Sequence, residues 1–184
     1  MQVLLGLWLP ILASAVFVFV VSCIIHMALP WHKGDYRKIP SEDQVMDALR
    51  PLNIPPGDYM VPRCESMKEM RTPEAKAKRQ RGPVFVATFM SGEMAMGKSM
   101  FLWFVYLLVI SYFAGYVGAH ASYGSPVAIH SRRIIGITAF LGYGGALCQA
   151  SIWMQRSWCA TIRSLIDSLV YAVVTAAAFA WLWR

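Results

Sequence analysis

The chain has 184 residues, 57% of them hydrophobic and only 15% charged, with a mean hydropathy of +0.47. Soluble domains sit near roughly 45–50% apolar and about 25% charged, so an ordinary water-soluble domain and a disordered chain are excluded. The formal charge of +7 is no nucleic-acid footprint: 12 of the 17 Lys and Arg lie between Lys33 and Lys98 together with nine of the ten acidic residues. That segment is a mixed polar surface, and no nucleic-acid partner is expected.

Four apolar runs are long enough to cross a bilayer core, which takes roughly 20 helical residues. In chain order they cover about residues 3–29, 100–119, 134–154 and 162–182. The expected fold is therefore an all-α integral membrane protein, a bundle of four transmembrane helices with the lipid bilayer as its first partner. The first run has no charged n-region and is longer than a leader's apolar core of about 7–15 residues, so it reads as a span. The seven tryptophans fall near the ends of these runs, as in interfacial belts. Placing residues 30–99 in the cytoplasm puts 14 Lys and Arg inside and three outside (Arg132, Arg133 and Arg184). This orientation leaves both termini on the non-cytoplasmic side.

The loop 30–99 is expected to be partly helical. Ser41-Glu42-Asp43-Gln44 has the form of a capping box opening a short helix that stops at Pro51. Asn53 to Tyr59 is rich in turn residues. Thr72-Pro73-Glu74 opens a second, basic helix to Arg81, with Pro in the tolerated first position and Gly82-Pro83 beyond its end. A β-like run, Val84 to Phe89, precedes Gly92-Glu93-Met94-Ala95-Met96-Gly97-Lys98-Ser99, which satisfies G-x-x-x-x-G-K-[ST]. In a nucleotide site Lys98 would meet phosphate oxygens and Ser99 magnesium. The context opposes it, because the helix after the motif is a membrane span and about 70 loop residues are too few for a nucleotide-hydrolysing core. Gly92, Gly97, Lys98 and Ser99 are read as a chance match.

Within the spans, Asp167 stands out, since a carboxylate at a helix centre costs about 2.5–3.5 kcal/mol on insertion scales. Helical spacing aligns Arg163, Ser164, Asp167, Ser168, Tyr171 and Thr175 on one side. A pair between Arg163 and Asp167, four residues apart near the interface, is the simplest expectation. His26, near the end of the first run, and Gln149, near the end of the third, reach a similar depth. Asp167, His26, Gln149 and Tyr171 are therefore the candidates for a ligand or proton path. No metal site and no cofactor are expected. Cys23, Cys64, Cys148 and Cys159 lack a C-x-x-C, His120 lies about 30 Å across the core from His26, and Pro30 separates His26 from His32.

Ser111, Gly115 and Ala119, like Ala172, Ala176 and Ala180, repeat every four residues, a spacing that lets helix backbones approach closely. They motivate the leading functional expectation, an accessory or self-associating component of a membrane complex, as a homo-oligomer or with other membrane subunits. The alternatives are a small proton-coupled transporter or channel using Asp167 and His26, and a membrane enzyme or redox subunit with His26, His32, Asp35 and Glu42 near the interface. His26 to Tyr36, followed by Ile39-Pro40-Ser41-Glu42-Asp43, resembles a stretch of uncharacterised bacterial multi-span membrane proteins. The resemblance implies a bacterial inner membrane and no particular chemistry.

Overall fold

Four helices are long and apolar enough to cross a membrane, Trp8–Ala28, Met96–Ala121, Ser131–Trp153 and Trp158–Leu182. The computed structural model describes residues 6–92, 95–121 and 128–183, so the start of the first expected span, residues 3–5, lies outside it, as do Glu93, Met94 and Arg184. The chain falls into two units, one of residues 1–37 with 96–184 and one of residues 38–95.

The first unit is the helical bundle. Helix α1 runs Trp8–Cys23 and passes into a π-helical turn, Ile24–Ala28, after which Leu29 is extended and Pro30–His32 forms a 3-10 turn. The extended Leu29 is what a following proline imposes. The second unit begins at Lys38 and holds helix α2 (Glu42–Leu49), strand β1 (Gly57–Val61), helices α3 (Met67–Met70) and α4 (Pro73–Arg81) and strand β2 (Phe85–Phe89). The bundle resumes with α5 (Met96–Ala121), α6 (Ala128–Gly144), α7 (Leu147–Trp153) and α8 (Trp158–Leu182). In the bundle α8 packs on α1 and α6, and α5 packs on the same two helices. The core between them is built from Ala15, Val18, Leu107, Ala114, Ile135, Ala139 and Phe179.

Small residues set the close approaches inside this bundle. A Cβ on Gly115 would lie 2.8 Å from the Phe179 ring, and one on Gly118 would lie 2.4 Å from Ile135 Cγ1. Ser111, Gly115 and Ala119 are buried, so this row packs within the chain and needs no second subunit to explain it. The third span is broken rather than continuous: α6 ends at Gly144 and α7 starts at Leu147. Tyr106 Oη donates to the Gly142 carbonyl (2.5 Å) just before the break. The Ser14 and Ser111 hydroxyls hydrogen-bond at 2.9 Å across α1 and α5, both fully buried. Removing one partner by Ser111→Ala is expected to cost about 1 kcal/mol, the scale of interhelical polar bonds in membranes. Equilibrium unfolding in mixed micelles reads this, and an unchanged midpoint would contradict it.

The second unit departs from an all-α expectation. β1 and β2 pair antiparallel, with Gly57 opposite Phe89 and Val61 opposite Phe85. The Thr88 hydroxyl donates to Asp58 (2.7 Å), and the Tyr59 and Phe89 rings meet edge to face. The turn-rich reading of Asn53 to Tyr59 holds as far as Pro56, and the strand takes over at Gly57. Ser41 does not cap α2, because its backbone is left-handed (φ 52°) and its side chain makes no cap bond, whereas an N-cap needs an extended backbone. Thr72 does cap α4, accepting from the Ala75 N–H at 3.2 Å, with Pro73 in the first turn.

Candidate functional site

The polar residues of the bundle meet at the end where α1 finishes and α8 begins. At that end the chain uses its two least regular turns. In the π-helical turn the Leu29 N–H reaches back five residues to the Ile24 carbonyl (3.2 Å). Such turns often occur at functional sites. Within it the His26 ring turns back, and its Nδ1 donates to the Ser22 carbonyl at 3.0 Å. The Ser22 hydroxyl is tied in turn to Trp103 Nε1 on α5, which donates to it at 2.9 Å. Leu29 and the 3-10 turn then reverse the chain, so that the His32 ring stacks on that of His26 with centroids 4.4 Å apart and planes at 10°.

His32 is held at both nitrogens. Its Nδ1 lies 2.6 Å from Asp35 Oδ2 and its Nε2 lies 2.7 Å from Asp167 Oδ2. Asp35 Oδ1 accepts from Arg163 at 2.6 Å. The result is a chain of four side chains, Arg163–Asp35–His32–Asp167, joining the segment after α1 to the first turns of α8. Asp167 is 5% exposed, deep enough that its charge must be balanced locally. Burial pushes the Asp35 carboxyl up, but the hydrogen bonds and charges of His32 and Arg163 outweigh it and hold the group below the usual carboxylate range. Two carboxylates and one guanidinium leave one negative charge. A neutral His32 carries one N–H, so in either tautomer it can donate to Asp35 or to Asp167 and not to both. Satisfying both contacts takes one further proton or another cation within the chain of side chains.

This cluster opens on a cavity of about 730 Å³. Its walls are mostly apolar and aromatic, with Phe19, Leu102, Trp103, Tyr106, Tyr143 and Leu147 among them, and His26 and Asp167 form part of its polar lining. Tyr171, one turn beyond Asp167, also faces it. Its hydroxyl is buried and has no hydrogen-bond partner among the described residues.

Of the residues singled out from sequence, Asp167, His26 and Tyr171 share this cavity. Gln149 is exposed and is not among the lining side chains. Arg163 does not take Asp167 but Asp35, because residues 30–37, assigned from sequence to the long loop, fold into the helical unit. His32 and Asp35, which entered only as interfacial polar residues, stand at the centre. The Pro30 that separates the two histidines is part of the reversal that stacks them. His120 binds the Tyr116 carbonyl at the opposite end of α5, and the side chain of His130 lies outside the described residues.

The nucleotide-like motif is divided between the two units. Glu93 and Met94 lie outside the described residues, Lys98 and Ser99 sit in the first turn of α5, and the strand before the motif is antiparallel, where a P-loop requires a parallel sheet. Set against known protein families, characterised proteins and solved structures, the chain finds no match in any of the three.

Proposed function

We propose that this multi-span membrane protein binds an amphiphilic, lipid-soluble molecule inside its bundle, with the polar group of that molecule at His26 and Asp167. The observation that carries this reading is the pairing of a mostly apolar 730 Å³ cavity with a buried carboxylate and an imidazole at its edge. Concave, mostly apolar sites with a few convergent polar groups are the usual form of a ligand pocket, and an intramembrane ionisable residue facing a cavity is costly to keep without a role. The unpartnered Tyr171 hydroxyl offers one further donor to such a polar group. Charge bias supports a cytoplasmic side for the site with both termini outside, and the resemblance around His26 to Asp43 supports a bacterial inner membrane.

Filling the cavity tests the reading. Leu147→Trp adds bulk to its wall, and the amphiphile retained through purification, read by native mass spectrometry from nanodiscs, is expected to fall at least about tenfold, in line with overpacking costs of about 1–3 kcal/mol. Equal retention by the wild type and this variant would reject a ligand in this cavity.

A second reading, a small transporter with Asp167 and His26 on its path, is favoured by the buried hydroxyls that continue along the bundle from Asp167. Ser168 and Tyr171 are followed by Thr175, 3.5 Å from Tyr143, and by the Ser14–Ser111 pair. It expects flux through proteoliposomes that Asp167→Asn abolishes. The small-residue rows leave self-association or attachment to a larger complex as a separate property, read by crosslinking in native membranes.

A further inference from the structure

We propose that His26, His32 and Asp167 form a binding site for one divalent first-row transition metal ion of the zinc or iron class, facing the cavity. One candidate ligand atom from each of the three residues lies within 4.8 Å of the other two. More telling is what surrounds them. Histidines that bind metals almost always give their other ring N–H to a backbone carbonyl or a carboxylate, which fixes the tautomer and aims the free nitrogen. Both partners are present: His26 Nδ1 donates to the Ser22 carbonyl (3.0 Å) and His32 Nδ1 faces Asp35 (2.6 Å). Each ring therefore keeps Nε2 for another ligand. Asp35 is itself fixed by Arg163, and Ser22 by Trp103, so the supporting groups are held in their turn.

The third observation is the close approach of His32 Nε2 to Asp167 Oδ2 at 2.7 Å. A single hydrogen bridges such a pair in a hydrogen bond, and a metal ion can take its place. Ligand atoms about 2.0–2.1 Å from a tetrahedral ion are roughly 3.3 Å apart, so His32 Nε2 and Asp167 Oδ2 open by about half an ångström, and the His26 ring, stacked on that of His32 at 4.4 Å, turns out of the stack to aim its Nε2 at the ion. Binding then releases the displaced proton. Two imidazoles and one carboxylate with open positions is the donor set of catalytic zinc and of non-haem iron sites. The three ligands stand on two turns and one helix, at the end of the bundle where α1 finishes and α8 begins. Its remaining positions face the cavity that Tyr171 lines. The inference shares its cavity with the proposed amphiphile and supplies that molecule's polar group with an electrophile, but it does not depend on the amphiphile being there.

The full-length protein in nanodiscs, stripped with a chelator, is titrated with Co²⁺ as a spectroscopic probe and with Zn²⁺ by calorimetry. One ion per chain is expected, with visible Co²⁺ bands typical of a low-coordinate nitrogen and oxygen site that Zn²⁺ bleaches. His26→Phe, which keeps a flat ring against His32, and Asp167→Asn should each remove the bands. Asp35→Asn should keep the site and weaken it about 10–100-fold, the usual cost of losing a supporting carboxylate, while His120→Gln leaves it unchanged. No saturable binding, or equal binding by wild type and His26→Phe, overturns the inference. His26→Phe decides the matter alone if Asp167→Asn does not fold. The same chelated samples are analysed for retained amphiphile, so amphiphile without metal removes this site and leaves the ligand cavity standing, and metal without amphiphile does the reverse.

Discussion

Asp35→Ala is expected to lower the stability of the bundle by about 2–3 kcal/mol, at or just below the roughly 3–5 kcal/mol that breaking a fully buried ion pair costs. The substitution strips Arg163 of its partner and leaves His32 Nδ1 without an acceptor, both at 2.6 Å in the intact protein. The Asp35 side chain is 7% exposed, but that of Arg163 is 31% exposed, and water screens part of the loss. A cycle with Arg163→Ala separates the terms. If the pair is coupled, the double variant is less destabilised than the sum of the singles, by about 1 kcal/mol or more. Unfolding midpoints in mixed micelles give all four values, and strict additivity would mean that the close contact between the two side chains contributes nothing measurable.

Gly118→Ala should cost a comparable amount for an unrelated reason. The added Cβ would meet Ile135 Cγ1 at 2.4 Å, a distance no real side chain tolerates, and Ile135 is fully buried between α5 and α6. Overpacking a well-filled core costs typically about 1–3 kcal/mol. The clash is with a side chain, so it is repairable: Ile135→Ala, which removes the clashing Cγ1 and is unfavourable alone, should recover part of the loss when combined with Gly118→Ala. The same unfolding assay detects this. A Gly118→Ala protein as stable as the wild type would show that α5 and α6 can separate freely at this point, and the close approach would then lose its meaning as a packing determinant.

Much of the architecture was legible from sequence because lipid imposes a simple rule. Backbone groups must be satisfied within each crossing segment, so run length alone marked the spans: the expected 100–119 and 162–182 each start four residues late on the helices Met96–Ala121 and Trp158–Leu182 and end within two residues of them. The break after Gly144 and the π-helical turn at Ile24–Ala28 were not legible as such. Gly142, Gly144, Gly145 and Ala146 read equally as a close-packing row or as a place to bend, and the break falls among them, whereas nothing in local propensity marks a π turn. Asp167 was found because an acid is conspicuous among apolar neighbours. Its partner was missed for a geometric reason: helical periodicity offered Arg163 four residues away, while His32 lies across a proline that ends regular spacing. The useful sign was the pairing of composition, with Arg163 and Asp167 at the start of one span and His32 and Asp35 just past the end of another. Charges at two adjacent span ends have only each other to meet. β1 was masked by its neighbourhood of Pro55, Pro56 and Gly57, which reads as turn chemistry until a complementary strand is in view.

The contact from His32 to Asp167 joins residues 135 positions apart, and that from Arg163 to Asp35 joins residues 128 apart. Biosynthesis must therefore complete this end of the protein last. While the earlier segments are already in place, Asp35 lacks Arg163 and His32 lacks Asp167, and both partners arrive only when the final segment leaves the ribosome. A nascent chain halted before Arg163 leaves Asp35 and His32 with only each other, one link of a network whose two outer members have yet to be made.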